Sequence, residues 1–151
     1  MKQAITLLAI PALAAALLAA CQGTNPVAVG SIQPTYDDIA AKVFTTCSTR
    51  SCHSATSTKG GLQLTADVAY EQLVNVAAEN DKAKLTNKKR VIPGDPANSF
   101  LVQKLESPPA GEGDMMPQRG QKLPDDQINA IKTWIQNGAK KTATPAVQFR
   151  L

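Results

Sequence analysis

The chain has 151 residues, a formal net charge of +4, 4% aromatic residues and three cysteines. This length suits one domain rather than two. The aromatic content is low for a domain that must build its own core, so a buried apolar cofactor would supply surface that the side chains lack. The basic and aromatic residues form no spaced pattern, so we expect no nucleic acid partner.

The first 20 residues have the pattern of a secretory signal peptide. A short basic start at residues 1–3 precedes an apolar run, and small residues follow up to Cys21. Leu18-Ala19-Ala20-Cys21 resembles the lipoprotein box of exported bacterial proteins. The resemblance implies that Cys21 is acylated and anchors the protein on the periplasmic side of a membrane, and Gln22 slightly favours the outer membrane. An ordinary signal peptide cleaved nearby is the alternative.

Residues 21–34 are rich in small and polar residues, and we expect them to form a flexible tether between lipid and domain. Loss of the signal peptide removes Lys2 and leaves 15 basic and 12 acidic residues, a net charge of +3. Basic runs remain at 88–90 and 140–141. We expect them to be solvated surface, or to steer an acidic partner.

Two cysteines and the only histidine lie together in Cys47-Ser48-Thr49-Arg50-Ser51-Cys52-His53. Two thiols can form thioether bonds with the vinyl groups of a porphyrin, and the adjacent imidazole can bind its iron. The usual spacing has two residues between the cysteines, whereas this chain has four, so the extra residues must bulge outward. The same stretch also permits a disulfide, which exported proteins favour, or a soft-metal site that includes His53.

A second candidate ligand lies in the loop at 107–123, which is rich in proline and glycine and holds Met115-Met116-Pro117. Methionine is a common partner of histidine on an electron-transfer haem. Because His53 is the only histidine, two histidines of this chain cannot bind one iron. We therefore expect a methionine of this loop to bind the iron, unless the pair only packs against the core.

Helical periodicity and capping residues predict the following elements in chain order. The first helix starts at Thr35 and reaches Cys47, a short helix spans 66–76, and residues 78–89 form an exposed loop. Asp95 caps a helix that begins at Pro96 and continues through Leu105. The last helix spans 125–137, with Gly138 at its left-handed end. No strand-like alternation appears.

Three contacts are also expected. A carbonyl near Gly61-Leu62 should accept the Nδ1 proton of His53, because ligating histidines usually have such a partner. Arg90 should lie on the surface, or pair with a haem propionate. Trp134 of the last helix should pack near Phe44 of the first.

Taken in order, residues 35–139 resemble a small single-haem cytochrome c of class I from exported bacterial proteins. The likeness rests on the Cys–Cys-His stretch, on Val-Ile-Pro-Gly-Asp-Pro-Ala-Asn-Ser at 91–99, on Met-Pro, and on Trp-Ile-Gln-Asn-Gly-Ala at 134–139. It implies an all-α fold around one covalent haem c. It further implies thioether bonds at Cys47 and Cys52, His53 as the proximal ligand and Met116 as the distal ligand, with Met115 as the alternative. Residues 140–151 would form a C-terminal tail.

The resemblance implies a membrane-tethered electron carrier that meets redox proteins transiently and takes no small-molecule substrate. A haem peroxidase would need an open coordination position with acid–base groups beside it, and we therefore do not expect an enzyme. Two alternatives remain. One is a haem-based sensor or the electron-input module of a larger complex. The other is a copper-handling lipoprotein, although a blue-copper site normally uses two histidines.

Overall fold

The computed structural model describes residues 30–141, which form five helices and one two-stranded sheet. Helix α1 runs continuously through Tyr36–Ile39, Ala40–Phe44 and Thr45–Cys47, and is followed by β1 at His53–Ser54, β2 at Ser57–Thr58 and a 3-10 turn at Lys59–Gly61. The later helices are α2 at Ala69–Leu73, α3 at Asp81–Leu85, α4 at Phe100–Glu106 and α5 at Asp125–Gln136. None of these described helices has the length and apolar character needed to span a membrane. The predicted signal peptide, Cys21 and most of the tail lie outside the described residues.

The expected all-α fold of the small class I cytochrome c kind is wrong. Strands β1 and β2 pair antiparallel, with His53 opposite Thr58, and single bridges join the segment after α2 to residues 89 and 91. Only about 39% of the described residues are helical, and most of the others lie in loops and turns. Each strand has two residues, which is too short to leave an alternating pattern in the sequence.

Helix α1 confirms the first predicted helix and its cap. The Thr35 hydroxyl accepts a hydrogen bond from the Asp38 amide at 3.3 Å, and acidic residues in the first turn complement the positive end of the helix dipole. The middle of the helix, Ala40–Phe44, is a π turn. It buries the side chains of Val43 and Phe44, and the helix then ends at Cys47.

Two predictions for the middle of the chain need correction. The helix predicted at 66–76 is the shorter α2, because Val74 already has an extended backbone. The loop predicted at 78–89 contains α3. The Asn80 side chain caps this helix by accepting from the Ala83 amide at 3.1 Å, a cap that the charged character of the segment concealed.

The predicted start of the next helix is also wrong. Helix α4 begins at Phe100, after Ser99, rather than at Pro96. Asp95 caps a turn instead, because its Oδ1 accepts from the Asn98 amide at 3.1 Å. Side chains of aspartate stabilise such turns as readily as helix starts, so the sequence pattern did not separate the two.

Helix α5 confirms the last predicted helix and packs against α1. Its apolar residues are buried in the core: Ile128, Ile131, Trp134 and Ile135. Trp134 and Phe44 belong to the same core cluster. Both rings pack against Tyr36, at 5.9 Å and 6.4 Å between ring centroids. Gly138 ends the helix with φ +91°, the left-handed position expected there.

Ordered contacts continue beyond residues 35–139 at both ends. Near the start, Ile32 packs against the core and the Ser31 carbonyl accepts from Lys42 Nζ at 3.1 Å. At the other end, the Lys140 carbonyl accepts from the Trp134 indole at 2.8 Å. The basic residues of this end are therefore partly engaged in the fold, and Lys141 also pairs with Glu71.

Candidate haem-binding site

A cavity of about 500 Å³ brings together Cys47, Cys52, His53 and Met116. This volume lies within the range of about 300–1,000 Å³ typical of cofactor sites. Apolar side chains form much of the wall, and they come from every part of the described chain: Val43, Phe44, Leu62, Leu64, Leu73, Ala78, Phe100, Leu101, Leu105, Pro117, Leu123 and Ile131. The four residues that the sequence singled out thus share one apolar chamber.

The loop between the cysteines projects outward, as its length required. Residues 49–51 are exposed, and the Cys52 amide donates to the Thr49 carbonyl at 3.0 Å, which closes a turn across the loop. Cys47 is half-buried at the end of α1, Cys52 is exposed, and both thiols are free. The turn absorbs the additional residues while both cysteines line the same cavity.

The two thiols differ in acidity because their surroundings differ. Burial raises the pKa of the Cys47 thiol. Hydrogen bonds from the side chains of Thr49 and Ser51 lower the pKa of the Cys52 thiol. Cys52 therefore forms the thiolate, the nucleophilic species, more readily than Cys47 does before any bond to a cofactor exists.

His53 is held by its ring and by its backbone. Its Nδ1 lies 3.0 Å from the Leu62 carbonyl oxygen, as the sequence predicted. Because a carbonyl can only accept, Nδ1 carries the proton and Nε2 keeps its lone pair for a metal. The His53 carbonyl accepts from the Leu64 amide at 2.8 Å, and the residue pairs with Thr58 in the sheet. The short sheet therefore fixes the backbone of His53, and the Leu62 carbonyl fixes its ring at the cavity wall.

Arg90 is buried rather than on the surface, with 6% of its area exposed. Its guanidinium donates to the carbonyls of Gln72 at 2.8 Å, Gly60 at 3.1 Å and Gly61 at 3.0 Å. It therefore holds the loop that carries the Leu62 carbonyl. Among the residues that the structure describes, no carboxylate forms an ion pair with it, and burial lowers the pKa of Arg90. The position of this charge inside Lys88-Lys89-Arg90 gave no sign of burial.

The two methionines have different surroundings. Met116 is half-buried, packs against the core and lines the cavity, and its amide donates to the Lys104 carbonyl at 2.7 Å. Met115 is 39% exposed and is absent from the cavity wall. The structure therefore brings Met116, rather than Met115, to the two cysteines and His53.

The sequence did not reveal the burial of Glu112, which lines the cavity, or its pairing with Lys88. Glu112 lies in the polar loop at 107–123, yet it is buried and its Oε2 lies 2.6 Å from Lys88 Nζ. Lys88 was expected on the surface. Because their partners lie far away in the sequence, no local pattern reveals these contacts. The basic run at 88–90 is thus mostly engaged within the fold and does not form a free patch.

Comparisons of the chain with protein-family models, with curated proteins and with solved structures found no match. Within residues 30–141, no group of three or more His, Cys, Asp or Glu side chains is arranged to hold a metal ion. Two thiols, one available imidazole nitrogen, one methionine sulfur and apolar walls fit a covalently attached haem.

Proposed function

We propose that this protein carries single electrons through one covalent haem c bound in the cavity. The observation that supports the proposal is the convergence of Cys47, Cys52, His53 and Met116 on one apolar chamber of about 500 Å³. Each of these four residues can bind a haem: the cysteines through thioether bonds, and His53 and Met116 through the iron. Neither a disulfide between the cysteines nor plain core packing of Met116 explains the cavity that all four share.

In this proposal the cysteine sulfurs would form thioether bonds to the haem vinyl groups, and His53 Nε2 and the Met116 sulfur would bind the iron. A bound haem would supply one iron that cycles between the ferrous and ferric states and so carries one electron. Because His53 and Met116 would both bind the iron, this chain would leave no coordination position for a substrate, which favours an electron carrier over an enzyme. Methionine favours a higher reduction potential than a second histidine would.

The other residues of the site orient the ligands and exclude water. The Leu62 carbonyl fixes the His53 tautomer, and Arg90 holds the loop that presents this carbonyl. Arg90 has no ion pair within the described chain, and only the Glu79 carboxylate acts on its charge from farther away. An anionic group in the cavity would therefore stabilise Arg90 further. The propionate groups of a haem provide such charge. The apolar walls exclude solvent, which also tunes the reduction potential.

The proposed partners are redox proteins that bind transiently through a small interface. Acylation of Cys21 would hold the protein at the periplasmic side of a bacterial membrane and confine it to partners there. Because Cys52 is exposed at the cavity, a haem bonded to it would have one edge near solvent. Electrons could then pass without opening of the fold.

The test is an absorption spectrum and an intact mass of protein exported by a host with working haem-attachment machinery. We expect sharp α and β bands in the reduced protein, and haem that stays bound to the chain in pyridine. Cys47→Ala and Cys52→Ala should each leave a single covalent link, and the double variant none. Colourless wild-type protein without added mass would refute the proposal. Copper in metal analysis would instead support a copper-handling lipoprotein.

A further inference from the structure

Glu112 is a buried carboxylate in a loop whose neighbouring residues are exposed. Its side chain is 7% exposed, and its Oε2 lies 2.6 Å from Lys88 Nζ. Lys88 also donates to Gln103 Oε1 at 2.9 Å. Because glutamate is almost never fully buried without a partner, this ion pair fixes the loop against the segment that precedes α4.

Lys104, in the last turn of α4, contacts the same loop at two points. Its Nζ donates to the Glu112 carbonyl at 3.1 Å, and its own carbonyl accepts from the Met116 amide at 2.7 Å. The ammonium groups of Lys88 and Lys104 lie 5.8 Å and 5.9 Å from the centroid of the Phe100 ring, within the range of a cation–π interaction. Residues 112–116 are thus attached to α4 at both ends.

We propose that Glu112 is a positioning residue for Met116: through Lys88, which also bonds to Gln103 of α4, its carboxylate holds residues 112–116 on α4 and keeps the methionine at the cavity. The expected effect of Glu112 on binding of Met116 to the iron rests on the proposed haem function. The loop that carries Met116 has few apolar side chains of its own to bury, because Met115 and residues 109–111 are exposed. Polar contacts must therefore hold it in place.

Loss of the Glu112 charge would leave the Lys88 ammonium, which is only 19% exposed, without its partner. An unpaired charge in such a place favours rearrangement toward water, and here this would carry the loop away from α4. The fraction of molecules with Met116 off the iron would rise. An exogenous ligand binds in proportion to that open fraction, so its affinity measures the position of the loop.

The experiment compares Glu112→Gln with the matched control Glu106→Gln in haem-loaded protein. The control removes the same charge from the Lys132–Glu106 pair, which is 2.9 Å long but 40% exposed at the glutamate. Imidazole binding to the ferric protein is followed by optical titration. We expect Glu112→Gln to bind imidazole about tenfold to a hundredfold more tightly, the range of a hydrogen bond to a charged group, and Glu106→Gln to match the wild type.

Glu112→Asp keeps the charge and should lie between the wild type and Glu112→Gln, and it replaces Glu112→Gln if that variant does not fold. Equal imidazole affinities in all these proteins would overturn the proposal, even if Glu112→Gln lowered stability, because a carboxylate with a purely structural role would give that result.

A second measurement needs no haem. Hydrogen exchange of the Met116 amide reports its bond to the Lys104 carbonyl, and we expect about tenfold faster exchange in Glu112→Gln. Exchange in Glu106→Gln should stay at the wild-type rate. Unchanged exchange in Glu112→Gln would overturn the proposed role of Glu112. If the exported wild-type protein proves to carry no haem, the proposed function is refuted. The exchange result would still decide whether Glu112 positions the loop.

Discussion

Replacing Arg90 tests how the buried guanidinium supports the site. Arg90→Met keeps much of the side chain's apolar length but removes the hydrogen bonds to Gln72, Gly60 and Gly61. At about 1 kcal/mol net for each hydrogen bond, the loss is about 3 kcal/mol. That is a large part of the 5–15 kcal/mol that stabilises a typical domain.

The matched variant Arg90→Lys separates charge from hydrogen bonding. Lysine keeps the positive charge but lacks the planar fork that reaches three carbonyls at once. We expect Arg90→Lys to lose most of the stability that Arg90→Met loses. In haem-loaded protein the reduction potential should fall in Arg90→Met, because a nearby positive charge favours the ferrous state, and it should change less in Arg90→Lys.

Urea unfolding followed by Trp134 fluorescence, together with a redox titration, measures both effects. With a slope of about 2 kcal/mol per molar urea, a loss of about 3 kcal/mol lowers the midpoint by about 1.5 M. A midpoint within about 0.3 M of the wild type would refute the structural reasoning. A fall in potential that is equal in both variants would refute the argument from charge.

Met116→Ala should abolish the weak near-infrared band of sulfur-bound ferric haem, whereas Met115→Ala should retain it; the reverse result would make Met115 the ligand. Ile131→Ala should destabilise the protein by about 2–5 kcal/mol in urea unfolding, because Ile131 is fully buried, and a loss below about 1 kcal/mol would contradict the packing. The pKa of Asp38 is lowered by hydrogen bonds from the Gln33 amide and from Lys42. Stability from Asp38 is therefore present above the ordinary aspartate pKa of about 4 and is lost as pH falls through the lower folded value. Asp38→Asn should lose less stability than the wild type between about pH 5 and pH 2, and an equal loss would refute this assignment.

The sequence predicted the elements whose signals are local. Thr35 and the acidic first turn placed the start of α1, and the 3.6-residue period of the isoleucines placed α5. The bond from His53 to a carbonyl near Leu62 was also predictable, because the segment with Gly60 and Gly61 follows the histidine closely in the sequence. In each case the residues that determine the structure lie within about ten positions of one another.

The contacts that the sequence did not reveal depend on distant partners. Arg90 in a basic run resembles a solvated residue, and only its bonds to carbonyls near positions 60 and 72 reveal that it is buried. Glu112 likewise has its partner Lys88 in another segment. The strands β1 and β2 are too short for a period, and the resemblance to class I cytochromes favoured an all-α fold without a sheet. The ligand candidates followed from residue chemistry, whereas their supporting contacts depend on tertiary structure.

The π turn at Ala40–Phe44 determines the direction in which the Cys47 side chain projects from the end of α1. Each residue of an α-helix rotates the chain by about 100°, so the wider turn changes which side chains share a face beyond it. Val43 and Phe44 from this turn and Cys47 after it all line the cavity. The insertion inside the helix thus sets the rotational phase of Cys47, while the longer loop after it sets the span to Cys52. The π turn in α1 and the four-residue gap between the cysteines therefore together determine where the two thiols lie.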